Sequence, residues 1–189
     1  MSARRLRIAV AGLGYWGPNL ARNFASVEGC ELAWCCDPSD GARGRVAARF
    51  PQARFTDDLD EVLADPALDA VALATPVAHH ADNAVRVLEA GKHCFVEKPL
   101  AQSVADAERA VAAAQKSDRV LMVGHLLEYH PGVQRLKQLV DSGELGDQIH
   151  YIYGNRLNLG KLRADENALW SLGAHDVSVV LYLAEEEPW

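Results

Sequence analysis

The sequence predicts an α/β fold, a doubly wound parallel sheet followed by the opening of an α+β domain, and three observations carry that expectation. Short apolar runs alternate with amphipathic stretches of helical spacing over residues 1–123. The first run passes straight into a glycine-rich turn that opens the first amphipathic stretch. From Gly124 onward the alternation stops, and residues 124–189 are expected to be the incomplete start of a second domain.

Strands are expected over 6–11, 32–36, 70–74, 94–96 and 120–123, each too short for a helix and nearly continuous in apolar residues, as strands covered on both faces are. Helices are expected over 18–26, 39–50, 59–64, 79–90 and 103–116. The second of these is the weakest, since Gly41 and Gly44 each cost about 1 kcal/mol relative to Ala in a helix interior. Ends are better marked: Gly91 stands where a C-terminal glycine belongs, and Ser103 with Asp106 forms an N-cap pair. Further on, a helix over 131–140, a turn at Ser142-Gly143, an aromatic strand over 148–157 and a helix over 172–183 are expected. A lone strand makes no sheet, so this tail either pairs with another chain or stops inside its second domain.

With 49% hydrophobic residues the chain has ample material for a core. Its net charge of −7 argues against an electrostatic hold on nucleic acid or anionic membrane and points to a small-molecule partner. The cysteines Cys30, Cys35, Cys36 and Cys94 form no CxxC pair and fall mostly in apolar runs, which fits reduced thiols in the cytoplasm, and no metal site is expected. The basic start runs directly into the first strand, without the apolar region of a targeting segment.

The chemistry gathers at strand ends. Gly12-Leu13-Gly14-Tyr15-Trp16-Gly17 lets backbone approach a pyrophosphate and aims helix N–H groups at it, while Asp37 ends the second strand where a carboxylate accepts from ribose hydroxyls and repels a 2′-phosphate. NAD is therefore expected over NADP. Ala74-Thr75-Pro76 through His80 and Phe95-Val96-Glu97-Lys98-Pro99 leave two more strands on the edge where such sheets bind ligands, Pro99 restricting how Lys98 departs. The competing readings are a helix cap for Thr75 and an exposed ion pair for Glu97 and Lys98.

Through the Gly12–Gly17 turn, the stretch from Ala74 to His80, and Gly91-Lys92-His93 leading to Glu97-Lys98-Pro99, the sequence resembles the Gfo/Idh/MocA oxidoreductases over its whole length. Within that family it looks most similar to the nucleotide-sugar 3-dehydrogenases of the UDP-N-acetylglucosamine and uronate type, through residues 124–131, 155–160 and 167–176. The resemblance implies an NAD(P)-dependent dehydrogenase with a Rossmann domain, moving a hydride between a sugar hydroxyl and nicotinamide. It implies a cofactor set of Gly12, Gly14, Tyr15, Trp16, Gly17, Asp37, Thr75, Pro76, His80, Glu97 and Lys98, with Lys98 and His175 catalytic. Arg156, Asn158, His175 and Asp176 are the residues expected at the sugar.

That pairing suits the chemistry, because an alcohol losing hydride must also lose its O–H proton, and an imidazole titrates near neutrality. Many family members carry Asp where Ser171 stands, a departure that leaves Asp176 as the carboxylate near His175. The resemblance further implies that residues 124–189 are the incomplete start of a C-terminal substrate and oligomerisation domain, which in full-length relatives is larger and commonly forms a homo-oligomer interface. A non-catalytic dinucleotide-binding regulator and an inactive cofactor-binding fragment are the alternatives.

Overall fold

The computed structural model describes residues 4–155 and 169–185. It divides into two compact units, Met1–Gly124 and His125–Trp189.

The first unit carries six strands: β1 (Leu6–Ala11), β2 (Cys30–Cys36), β3 (Arg54–Thr56), β4 (Ala70–Leu73), β5 (His93–Val96) and β6 (Leu121–Val123). All pair in parallel, in the order β3-β2-β1-β4-β5-β6, the double winding expected, which reverses direction between β1 and β4. Five helices cover the faces: α1 (Gly17–Ser26), α2 (Asp40–Ala47), α3 (Leu59–Leu63), α4 (His80–Glu89) and α5 (Val104–Ser117). Alternation along the strands sends Ala9, Ala11, Val71, Leu73, Cys94 and Val96 into one core, and Val10 and Ala72 into the other, where Leu20 of α1, Val46 of α2 and Phe50 join them. In β2 the pairing with β1 steps from Leu32 to Trp34, so that Ala33 is an extra residue and the two neighbours Ala33 and Trp34 share one core.

The helix ends follow the sequence chemistry. The Ser103 hydroxyl accepts from the Asp106 N–H at 3.1 Å, and Gly91 leaves α4 at φ +73, a conformation an L side chain resists. Ser39 caps α2 in the same way, which offsets part of the cost of Gly41 and Gly44.

The sequence reading missed β3. Its Arg-Phe-Thr has neither length nor apolar continuity, and it forms because β2 offers it a paired edge, where the Arg54 guanidinium lies 3.8 Å over the Trp34 ring.

In the second unit, α6 (Pro131–Asp141) follows a short turn of 3-10 helix at Leu126–Tyr129, and α7 (Ala174–Ala184) follows a π-type turn at Leu169–Gly173. Lys137 on α6 makes ion pairs to Asp141 and, at 2.8 Å, to Glu185 just past α7. The expected strand over 148–157 is corrected: residues 148–155 form no strand, because no described segment pairs with them, and Tyr151 and Tyr153 stand exposed. Residues 156–157 lie outside the described residues. Among the described residues no helix is long and apolar enough to cross a membrane.

Candidate active site

Four strand ends of the first unit meet along one edge of the sheet. The ladder runs one rung beyond the strands themselves: Gly12 N donates to Cys36 O, Ala74 N to Ala11 O, Glu97 N to Leu73 O and Gly124 N to Val96 O, all at 2.8–2.9 Å. The glycine turn, the Thr75-Pro76 exit and the Glu97-Lys98 exit are thus fixed at one level by backbone alone, over the point where strand order reverses.

The glycines of the turn do three different things. Gly12 takes φ +90, and a Cβ there would lie 2.5 Å from the Ala74 carbonyl, so this position joins β1 tightly to β4. A Cβ on Gly17 would lie 1.8 Å from the Gly12 carbonyl oxygen, so the start of α1 packs directly on the turn. Gly14 has nothing within 4 Å of where its Cβ would be, and it is exposed. The open face of the turn is therefore at Gly14, next to a helix N-terminus whose N-cap, Trp16, supplies no side-chain bond to the N–H groups.

Asp37 ties that turn to the end of β2. One carboxylate oxygen accepts from Leu13 N at 2.6 Å and the other from Ser39 N at 2.8 Å. Each oxygen keeps a further lone pair, so the group still has capacity for ribose hydroxyls.

On the other side of the switch point, the Thr75 hydroxyl is buried and makes no hydrogen bond. It does not cap the following turn, whose N-cap is Pro76 without a side-chain bond, and this excludes the capping role weighed above. A buried hydroxyl without a partner at a ligand-binding edge is what a ligand would satisfy. His80, 2% exposed, places Nδ1 2.7 Å from the Pro99 carbonyl oxygen and Nε2 2.7 Å from the Thr75 carbonyl oxygen. Both of its ring nitrogens are thus turned onto backbone carbonyls.

Glu97 is half-buried, so the exposed ion pair is also excluded. Burial pushes its carboxyl above the ordinary range, against the pull of a hydrogen bond with the Trp16 side chain and of Lys98. Gly124 makes room for it: a Cβ there would lie 3.0 Å from Phe95 and 3.3 Å from the Glu97 carboxylate. Neither the Trp16 bond nor the Gly124 contact was legible beforehand; the only sequence signal was a glycine directly after a strand. Lys98 is half-buried, its peptide to Pro99 is cis, and Tyr15 is exposed.

Gly91-Lys92-His93 turns out to be structural. Lys92 Nζ donates to the carbonyls of Asp65 and Leu68, both at 2.8 Å, and His93 Nδ1 accepts from Val120 N at 3.0 Å, all at the amino end of β5 and away from the site. In the second unit, His175 is the second residue of α7, partly buried, with Asp176 exposed beside it. The Ser178 hydroxyl donates to the His175 carbonyl at 3.1 Å. Arg156 and Asn158 lie outside the described residues.

A family model for an oxidoreductase family with an NAD-binding Rossmann fold matches residues 6–125. The chain belongs to the Gfo/Idh/MocA oxidoreductase family. It is 34% identical to a 4-carboxy-2-hydroxymuconate-6-semialdehyde dehydrogenase of a Sphingobium strain, over 95% of this chain and 59% of that protein. It is 30% identical to a UDP-N-acetylglucosamine 3-dehydrogenase of Acidithiobacillus ferrooxidans, over 97% of this chain and 56% of that one. Among solved structures, GenD2 from gentamicin A biosynthesis, in complex with NAD, superposes with a TM-score of 0.83 at 30% identity, over 97% of this chain and 54% of that one. This Gfo/Idh/MocA chain thus spans little more than half the length of those relatives.

The residues at the edge fit the dinucleotide of the family. The open turn at Gly14 would take the pyrophosphate, Asp37 the adenine ribose, and the unsatisfied Thr75 hydroxyl a group on the nicotinamide side.

Proposed function

We propose that the protein is an NAD-dependent dehydrogenase that oxidises a secondary hydroxyl of a sugar derivative, most fittingly C3 of a UDP-linked sugar. When bound, NAD supplies the hydride acceptor. Lys98 leaves the sheet edge beside the Thr75 exit and stabilises the negative charge that grows on the substrate oxygen as the C–H bond breaks. His175 takes the hydroxyl proton, leaving a ketone, with Asp176 as the nearby carboxylate. Asp37 favours NAD, because a 2′-phosphate would face a carboxylate already oriented by two backbone N–H groups.

The observation that carries this reading is the gathering of the Asp37-tied glycine turn, the unsatisfied Thr75 hydroxyl and the Glu97-Lys98 exit on one sheet edge. The named relatives support a dehydrogenase without narrowing the substrate, since one acts on a carboxylated semialdehyde and another on a UDP-sugar. The test is NADH formation from NAD with UDP-N-acetylglucosamine, its uronic acid, inositols and carboxylated semialdehydes. UDP-sugar turnover that Lys98→Met lowers by about a hundredfold or more, with NADH affinity kept, is the expected result. Turnover confined to semialdehydes refutes the substrate, and NADPH binding as tight as NADH refutes the role of Asp37.

A further inference from the structure

The two exits from the nicotinamide side of the switch point are not tied to each other by the sheet. Beyond the last ladder bond, the Thr75-Pro76 segment and the Lys98-Pro99 segment leave β4 and β5 as separate loops, and a side chain that reaches both can set their spacing. His80 does so at the start of α4. Its ring is buried and bridges the Pro99 and Thr75 carbonyls, at 2.7 Å each, across 19 positions on one side and five on the other. Both partners are acceptors, so the imidazole donates to both at once only when both nitrogens carry hydrogen, and to one of them otherwise.

The residues held on either side are the ones that face the ligand edge. Thr75 brings the buried hydroxyl without a partner, and Pro99 is the immediate neighbour of Lys98. We infer that His80 is a positioning residue for the nicotinamide half of the cofactor, acting by clamping the Thr75 and Pro99 carbonyls so that the Thr75 hydroxyl and Lys98 are presented at a fixed spacing. This rests on the NAD reading given above. It also divides the site in two. Asp37 and the glycine turn set the adenosine and pyrophosphate half without help from His80, whereas the half beyond β4 depends on it.

That division gives the test, which needs no turnover. ADP-ribose carries the adenosine and pyrophosphate half and lacks the nicotinamide. In His80→Phe, which keeps a flat ring and loses both ring nitrogens, NADH affinity is expected to fall about tenfold while ADP-ribose affinity stays within about twofold of the parent. His80→Gln, which keeps one donor and is the milder change, is expected to lie between Phe and His for NADH and at the parent value for ADP-ribose. NADH affinity unchanged in both variants overturns the clamp. So does an equal loss for the two ligands, which would make His80 a general packing residue. If the parent binds neither ligand, the NAD reading itself has failed, a result distinct from both.

Discussion

Two glycines of one motif, Gly14 and Gly17, should respond differently to the same substitution. At Gly17 a Cβ would sit 1.8 Å from the Gly12 carbonyl oxygen, so Ala requires roughly 1.6 Å of separation to be restored between two backbone segments. Gly12 has little room to yield, since the Ala74–Thr75 peptide lies so close that even a Cβ on Gly12 would come within 2.5 Å of it. Overpacking of this kind costs about 1–3 kcal/mol, and for a chain of this size each kcal/mol lowers Tm by about 2–4 °C. Gly17→Ala should therefore melt roughly 2–12 °C below the parent. At Gly14 the Cβ would meet nothing within 4 Å, and φ is not positive, so Ala is tolerated by the fold and should leave Tm unchanged or slightly raised by the lower entropy of the unfolded chain. What Gly14→Ala should lose is NADH affinity, by about tenfold or more, since the methyl group occupies the space the pyrophosphate approaches. Thermal unfolding and an NADH fluorescence titration on both variants read the two effects separately. A Gly17→Ala protein as stable as the parent, or a Gly14→Ala protein binding NADH as the parent does, would refute this division of roles.

Lys92→Met should lower Tm by roughly 4–8 °C through loss of about 2 kcal/mol, because it removes a buried donor from the Asp65 and Leu68 carbonyls, of which only that of Asp65 keeps a backbone partner in Leu68 N, yet NADH affinity should not change, as Lys92 lies at the opposite edge of the sheet. Burial pushes the Cys35 and Cys94 thiols to about 12 and, helped by neighbouring aspartates, Cys36 to about 11, so a thiol reagent at neutral pH should modify only the half-buried Cys30 in the native protein and all four cysteines after unfolding. Glu97 is raised from an ordinary 4.5, so the folded state binds the proton more tightly, and stability should fall as pH rises from that value through the folded one. Glu97→Gln should then melt above the parent at neutral pH, with the gain vanishing in acid; a gain that persists unchanged below the ordinary carboxylate range would contradict burial as the cause.

The legible parts of the fold were those written in local chemistry. Buried parallel strands must be apolar, so β1, β2, β4, β5 and β6 stood out, and the caps at Ser103 and Gly91 were readable because each rests on one residue's own geometry. The edge strand β3 was illegible because its three residues depend on β2 for pairing and on Trp34 for packing of Arg54. The strand expected near residue 150 failed for the converse reason: Tyr151 and Tyr153 have strand-like alternation, and no described segment supplies the hydrogen bonds that alternation needs. At the site, residue types placed Asp37 and Thr75 on the correct edge, but type alone could not tell a ligand contact from a backbone clamp. His80 and Lys92 sit in equally suggestive motifs, and only the structure shows that the polar atoms of both side chains meet backbone carbonyl oxygens.

The ties that shape the edge have a common property. Asp37 to Leu13, Trp16 to Glu97, and His80 to Thr75 and Pro99 all begin and end within the first unit. The buried members of both core clusters also lie between Ala9 and Ala113, so the sheet and its two helical layers have their own apolar support. These ties are made by residues of the first unit, whereas the proposed proton acceptor His175 belongs to the second. The proposed function thus assigns cofactor binding to the first unit and proton removal to the second. Substitutions at His175 should then leave NADH affinity at the parent value, and substitutions at Gly14 should lower it whatever stands in the second unit. A His175→Ala protein that binds NADH several-fold more weakly would mean that the cofactor edge is completed from outside the first unit, and the separation of roles would fall.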